Sequence, residues 1–306
     1  MICSIQEVYD AIGAVPSKTV AVAQAADEHV LQAAEGARRE GYVRPVLIGD
    51  AGRIRALAGK LGIDPASCEV VDRPDDREAA ECAVRMVHNG QADVVMKGLM
   101  DSSVFLKAVL NREYGLREEG KAISAIAVME LKALRRLVFM TDLGITPLPD
   151  LAAKAKLIES TAAVARRFGI ETPKVAVLSA AEKLNEKMAS SREAYALAEM
   201  NRRGELPGCQ VAGPISFDLA LSAAAAEEKG YTDPVAGKAD ILLVPSIEVG
   251  NAVYKALMLF ADMETGGIIA GTRAPVVFCS RADSALTKKN TLALAVYLAG
   301  TKDVRP

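Results

Sequence analysis

Tryptophan is absent from this 306-residue chain, and aromatic residues make up only 4% of it. With 51% of residues hydrophobic, the core must therefore be packed from Ala, Val, Leu and Ile. Histidine is nearly absent: there are two, His29 and His88, each in a helical context, which argues against a histidine-based triad or a histidine-rich metal site. The five cysteines, Cys3, Cys68, Cys82, Cys209 and Cys279, are scattered and form no CxxC pair, as expected of reduced thiols in a cytoplasm. A basic surplus is also missing, since the net charge is −2, so nothing supports a nucleic-acid footprint. No apolar run approaches the roughly 18 residues of a membrane span. MICSIQEVYD lacks the basic-then-apolar layout of a signal peptide. The glycines at 266, 267 and 271 fit neither GxGxxG nor GxxxxGK[ST], so no Rossmann or P-loop nucleotide site is indicated.

What is present is an alternation of apolar runs and helical segments. Strands are expected at 19–23, 44–48, 69–71, 92–96, 174–179, 210–212 and 239–244. Helices are expected at 27–40, 51–59, 75–89, 150–168, 193–203, 217–229 and 251–262. Residues 123–129 and 137–140 read as two strands, an antiparallel pair if the short charged link between them turns back. Alternating βα units imply a mainly parallel sheet covered by helices on both faces. The prolines of TPLPD make 146–150 a plausible crossing between domains.

The chemistry gathers at strand ends. APVVFCSRADSALTKKN (274–290) reads as a buried strand over 275–279, then Ser280, Arg281 and Asp283, then a helix from 284 to 299. In open α/β sheets ligands collect at the carboxyl ends of strands. A hydroxyl, a guanidinium and a carboxylate there are either a site or a turn with Ser284 or Asp283 as helix cap. Lys97-Gly98, after ADVVM, pairs an ammonium with a glycine, suited to phosphate or to a solvated surface. Asp142, Ser179 and Asp218 follow other strands and serve equally well as turn formers or caps. In EVGNAVYKAL (248–257), Gly250 allows close approach of a ligand, Asn251 opens a helix, and Lys255 lies one turn on; together they would make an anion site.

ADVVMKG, EYGLR (113–117), PKVAVLSAAEKLNEKM (173–188), GPISFD (213–218), VAGKADILLVP (235–245), EVGNAVYKAL and PVVFCSRADS (275–284) together resemble the phosphate acetyl/butyryltransferase family. SRADS and MKG resemble its phosphate butyryltransferase branch more than the longer acetyl enzymes. The resemblance implies an α/β chain of two α/β/α domains with mainly parallel sheets, similar to isocitrate and isopropylmalate dehydrogenases. The expected division is 1–140 plus 274–306 against 141–273, with the active site in the cleft between them. It implies a cytoplasmic homodimer or larger homo-oligomer that moves a short acyl group, butyryl or similar, between CoA and inorganic phosphate through an acyl phosphate. Thiolate attack would be direct, in a ternary complex, with CoA as a substrate, no tightly bound cofactor and no metal. Ser280 and Arg281 match the family's Ser-Arg pair. The acetyl branch places a catalytic Asp seven residues after the Ser, where this chain has Thr287, so Asp283 is the expected base. Lys97, Gly98, Gly250, Asn251 and Lys255 are expected to bind phosphate or CoA, and Cys279 to be strand packing. Three alternatives stand: a phosphate acetyltransferase, a metal- and NAD-dependent dehydrogenase of the same fold, and a non-catalytic CoA-binding protein.

Overall fold

The computed structural model describes residues 1–301, so the last five residues of the expected first domain lie outside the described residues. In chain order the elements are α1 (Ile5–Ile12), β1 (Lys18–Ala23), α2 (Glu28–Arg39), β2 (Val43–Gly49), α3 (Ala51–Lys60), β3 (Glu69–Asp72), α4 (Asp76–His88), β4 (Val94–Lys97) and α5 (Ser102–Val109). There follow β5 (Ser124–Leu131), β6 (Arg136–Thr141), α6 (Leu151–Arg167), β7 (Lys174–Leu178), α7 (Ala189–Arg202), β8 (Gln210–Ile215), α8 (Phe217–Leu221), α9 (Ala223–Glu228), β9 (Ile241–Leu243), α10 (Ile247–Phe260), β10 (Met263–Ala270), β11 (Val276–Val277) and α11 (Ala285–Gly300). No helix among the described residues is long and apolar enough to cross a membrane.

The chain divides into two compact units. Among the described residues, one comprises Ile5–Lys121 and residues 265–301; the other comprises Ala122–Glu264 with Met1–Ser4. In the first, the strands run in the order β3-β2-β1-β4-β11-β10. All neighbours are parallel except β10 and β11. In the second the order is β5-β6-β9-β7-β8, parallel but for the β5–β6 pair. Each is thus the mainly parallel α/β arrangement expected. The division falls elsewhere than the sequence suggests, because β5 and β6 belong with residues 142–264. The cause is pairing: β6 lies parallel to β9, with Phe139 opposite Ile241, and carries β5 with it.

Local chemistry explains the elements. Every residue of β4 is buried, as is β1 from Val20 to Ala23, because helices cover both faces of a parallel sheet. Asp27, Asp50 and Asp75 cap α2, α3 and α4, each accepting a main-chain N–H of the first turn. α1 was not expected; its Ile5, Val8 and Ile12 recur at helical spacing and are buried. The expected single helix 217–229 is broken at Ser222, whose side chain caps α9.

Candidate active site

β11 lies parallel to β4, with Val277 opposite Met96, so both strands end at the same edge of the first unit. Lys97-Gly98 therefore emerges beside the segment after β11. The chain leaves the sheet early: the Phe278 N–H still donates to the Gly267 carbonyl (3.1 Å), but the Cys279 carbonyl accepts from the Lys97 ammonium instead (3.4 Å). Ser280, Arg281 and Ala282 follow as an exposed tip, while Asp283 and Lys288 are buried beneath it.

The structure decides between the two capping candidates. Ser284 caps α11, accepting the Thr287 N–H at 3.1 Å. Asp283 instead accepts the Ser280 N–H on Oδ2 (2.7 Å). The Lys288 ammonium, from the first turn of α11, donates to the Ser280 carbonyl (3.2 Å) and to the Asp283 carbonyl (2.5 Å). Arg281 pairs with Asp101, both side chains being well exposed. Asp101 occupies the N-cap position of α5 without making a side-chain cap bond, so its carboxylate serves Arg281 and not its own helix. Ser102 and Ser103 lie inside the helix.

Lys97 is only 2% exposed, and its bonds, to the Gly98 and Cys279 carbonyls, are both 3.4 Å long. Burial holds its ammonium below the usual lysine range; the nearby Cys279 works against this, while Arg281 and Lys288 reinforce it. An anion placed beside Lys97 would relieve that cost. Without one, the charge destabilises the fold, which sets up a test. Below the lowered folded value Lys97 is charged in both folded and unfolded chains, and the burial cost is fully present. As pH rises from there towards 10.5, the ordinary value, the folded chain loses its proton first and the cost fades. Lys97→Met should therefore raise Tm, and most at a pH below that lowered value. Differential scanning fluorimetry should find that gain shrinking towards pH 10.5; a gain that grows with pH would contradict the account.

Gly98 has a steric role. A Cβ there would lie 2.1 Å from the Gln24 carbonyl oxygen and 2.6 Å from that of Ala23, because the chain after β4 runs hard against the end of β1. Cys279 is buried, and burial pushes its thiol up to about 11, so it is protonated at neutral pH and poorly suited to a covalent acyl-thiol step.

In the second unit, α10 begins at Ile247 after Ser246, four residues before Asn251. Gly250 and Asn251 are therefore inside the helix, and the Gly250 N–H is bonded to the Ser246 carbonyl (3.0 Å). A Cβ on Gly250 would meet Leu143 and Val244 at 2.8 Å, so this glycine serves helix packing rather than ligand approach. Asn251 and Lys255 are exposed residues within α10, so neither stands at the helix start where the sequence places them. Asp142 is buried and accepts N–H groups from Ala125, Gly144, Ile145 and Thr146 at 2.8–3.3 Å, which makes it the anchor of the loop after β6. Burial raises its carboxyl, opposed by those four bonds. Asp218 and Glu182 pair with Lys229 (3.2 and 2.9 Å), and Ser179 bonds Ser190 and Met188.

The structure thus gathers Lys97, Gly98, Ser280, Arg281 and Asp283 in one unit. It adds Asp101 and Lys288, which sequence reasoning missed. Charge pattern could not find Asp101, whose partner is 180 positions away, and Lys288 bonds only to main-chain carbonyls in these contacts.

Comparison with known proteins follows the same residues. The family model described as "Phosphate acetyl/butaryl transferase" matches residues 5–85 and 77–296. The chain is 46% identical to a phosphate butyryltransferase of Clostridium acetobutylicum over 302 residues, covering 99% of this chain and 100% of that one. It is 41% identical over 282 residues to a phosphate acetyltransferase of Thermotoga maritima, covering 92% and 95% respectively. Among solved structures, a branched-chain phosphotransacylase from Enterococcus faecalis V583 superposes with a TM-score of 0.83 at 32% identity, covering 93% of this chain and 100% of that one.

Proposed function

We propose a division of labour on one premise: the chain belongs to the phosphate acetyl/butaryl transferase family, and is an enzyme that moves a short acyl group between CoA and inorganic phosphate. In the forward direction a phosphate oxygen attacks the thioester carbonyl, a tetrahedral oxyanion forms, and the CoA thiolate leaves. In reverse the thiolate attacks the acyl phosphate. Both directions run through one negatively charged transition state, which needs donors aimed at the developing charge.

The observation that carries the assignment is the exposed Ser280-Arg281 tip beside the buried Lys97 ammonium. Arg281 supplies a planar fork for two oxygens of phosphate or of the intermediate, exchanging Asp101 for substrate. Ser280 donates its hydroxyl to the carbonyl oxygen or the sulfur. Lys97 balances the phosphate charge. Asn251 and Lys255 take no part in this reading, since the helix start that would have aimed them at an anion lies elsewhere. Butyryl is the proposed acyl group, supported by the 46% identity to an enzyme of that name. A homo-oligomer is part of the same reading; Leu259 and Phe260 of α10, 76% and 87% exposed, support it.

Thiol-reagent detection of CoA release from acetyl-, propionyl-, butyryl- and isobutyryl-CoA tests this. Release is expected only with phosphate present, with the highest kcat/KM for butyryl-CoA and differences of about 10–200-fold per methylene. Light scattering on the same sample should find more than one chain per particle. Equal release with and without phosphate would make the protein a thioesterase and reject the reading.

A further inference from the structure

We propose that Lys288 is a positioning residue for Ser280, acting through the main chain. The proposal rests on the reading that Ser280 and Arg281 perform the chemistry. Its basis is the way the two peptide units flanking Ser280 are held. The N–H of residue 280 points at the buried Asp283 carboxylate (2.7 Å). The carbonyl of residue 280 points at the buried Lys288 ammonium (3.2 Å). Fixing the directions of both groups fixes φ and ψ of Ser280, and with them the Cα–Cβ bond from which the hydroxyl projects.

The choice of residue is informative. The tip is exposed, so water could satisfy these main-chain groups without any protein partner. Burying a lysine to 3% exposure for that purpose is costly. The cost has a return in geometry. Lys288 stands on the first turn of α11, a sixteen-residue helix, and its own N–H bonds the Ser284 carbonyl (3.0 Å). It therefore transfers the rigidity of that helix to a segment that has already left the sheet. It also ties the Asp283 carbonyl (2.5 Å), so one ammonium clamps both ends of the Ser280–Asp283 turn. Asp283, the residue expected to be the base, is the second half of the same device. Its Oδ2 is occupied by the Ser280 N–H, and we assign it to positioning.

A double-mutant cycle separates this from a merely structural role. Lys288→Met should lower kcat about 10–10²-fold, with KM for acyl-CoA and phosphate little changed, because a misplaced donor weakens the transition state and not substrate binding. In a Ser280→Ala background the same change should cost no more than about twofold, since there is no hydroxyl left to misplace. Calorimetric titration with CoA should show unchanged stoichiometry, which rules out loss of folded enzyme. Unchanged kcat, or the same loss in both backgrounds, overturns the proposal. If Lys288→Met does not fold, Lys288→Arg enters the same cycle with the same expectations, because its planar donors sit differently under the turn. Failure of the function is recognisable separately: the unmodified protein itself would then release no CoA in response to phosphate, and both readings would fall together.

Discussion

Arg281→Ala is expected to reduce kcat about 10²–10³-fold, the loss seen when one preorganised donor to a developing oxyanion is removed. Arg281 sits at the exposed tip after β11, at the carboxyl edge of a parallel sheet, and its guanidinium is paired with the exposed carboxylate of Asp101. An exposed pair of this kind contributes little to stability, so the variant should fold normally and keep its Tm within about 1–2 °C. Arg281→Lys keeps the charge but not the fork, and should recover only part of the lost rate. Steady-state kinetics with both substrates provides the check, with circular dichroism to verify folding. A variant that keeps kcat and loses only KM for phosphate would make Arg281 a ground-state binding residue instead.

Gly98→Ala should have the largest effect on the fold itself. Its Cβ would have to occupy space 2.1 Å from one main-chain oxygen and 2.6 Å from another, and neither atom can swing aside as a side chain does. They belong to Ala23, the last residue of β1, which is paired on both sides, to β2 and to β4, and to Gln24, the residue after it. The Gly98 and Leu99 N–H groups bond to those same two carbonyls at 2.8 Å, so moving the chain away would break two hydrogen bonds as well. Overpacking in rigid surroundings costs about 1–3 kcal/mol or more. A Tm lower by at least about 3–8 °C, or insoluble protein, is expected in a thermal melt. Activity should fall with it, since Lys97 is the next residue. A fully stable Gly98→Ala would contradict the close approach of these strand ends.

Most of the fold was legible because its strands are unbroken apolar runs. Val20–Ala23, Val94–Met96 and Val175–Leu178 are buried on both faces, so hydrophobicity alone marks them. The pairing of β5 with β6 was legible from their adjacency, but the unit they join was not, since that depends on β6 meeting β9 about a hundred residues later. α10 was placed four residues late because Gly250 resembles a breaker, when in fact its missing side chain lets the helix press on Leu143 and Val244. In the site, Ser280 and Arg281 were readable as polar residues ending a strand. Asp283 was readable as present but not for its task, because a carboxylate bonded to a main-chain N–H leaves no trace in composition. Lys288 was invisible for the same reason, its acceptors being carbonyls that every residue possesses.

The protonated state of Cys279 carries one more consequence. An enzyme whose substrate is a free thiol works among mixed disulfides, and a thiolate next to its reactive pair would be capped by oxidised CoA through exchange. Only the deprotonated sulfur attacks a disulfide, and attack also requires access. Cys279 lies one residue before Ser280, yet it is 4% exposed and holds its proton up to a pH of about 11. Cys68, Cys82 and Cys209 are likewise shifted upward by burial. The Ser280–Asp283 turn is thereby kept out of thiol–disulfide exchange with the enzyme's own substrate. Intact-mass measurement after incubation with CoA disulfide at neutral pH should show no adduct on Cys279 while the protein stays folded.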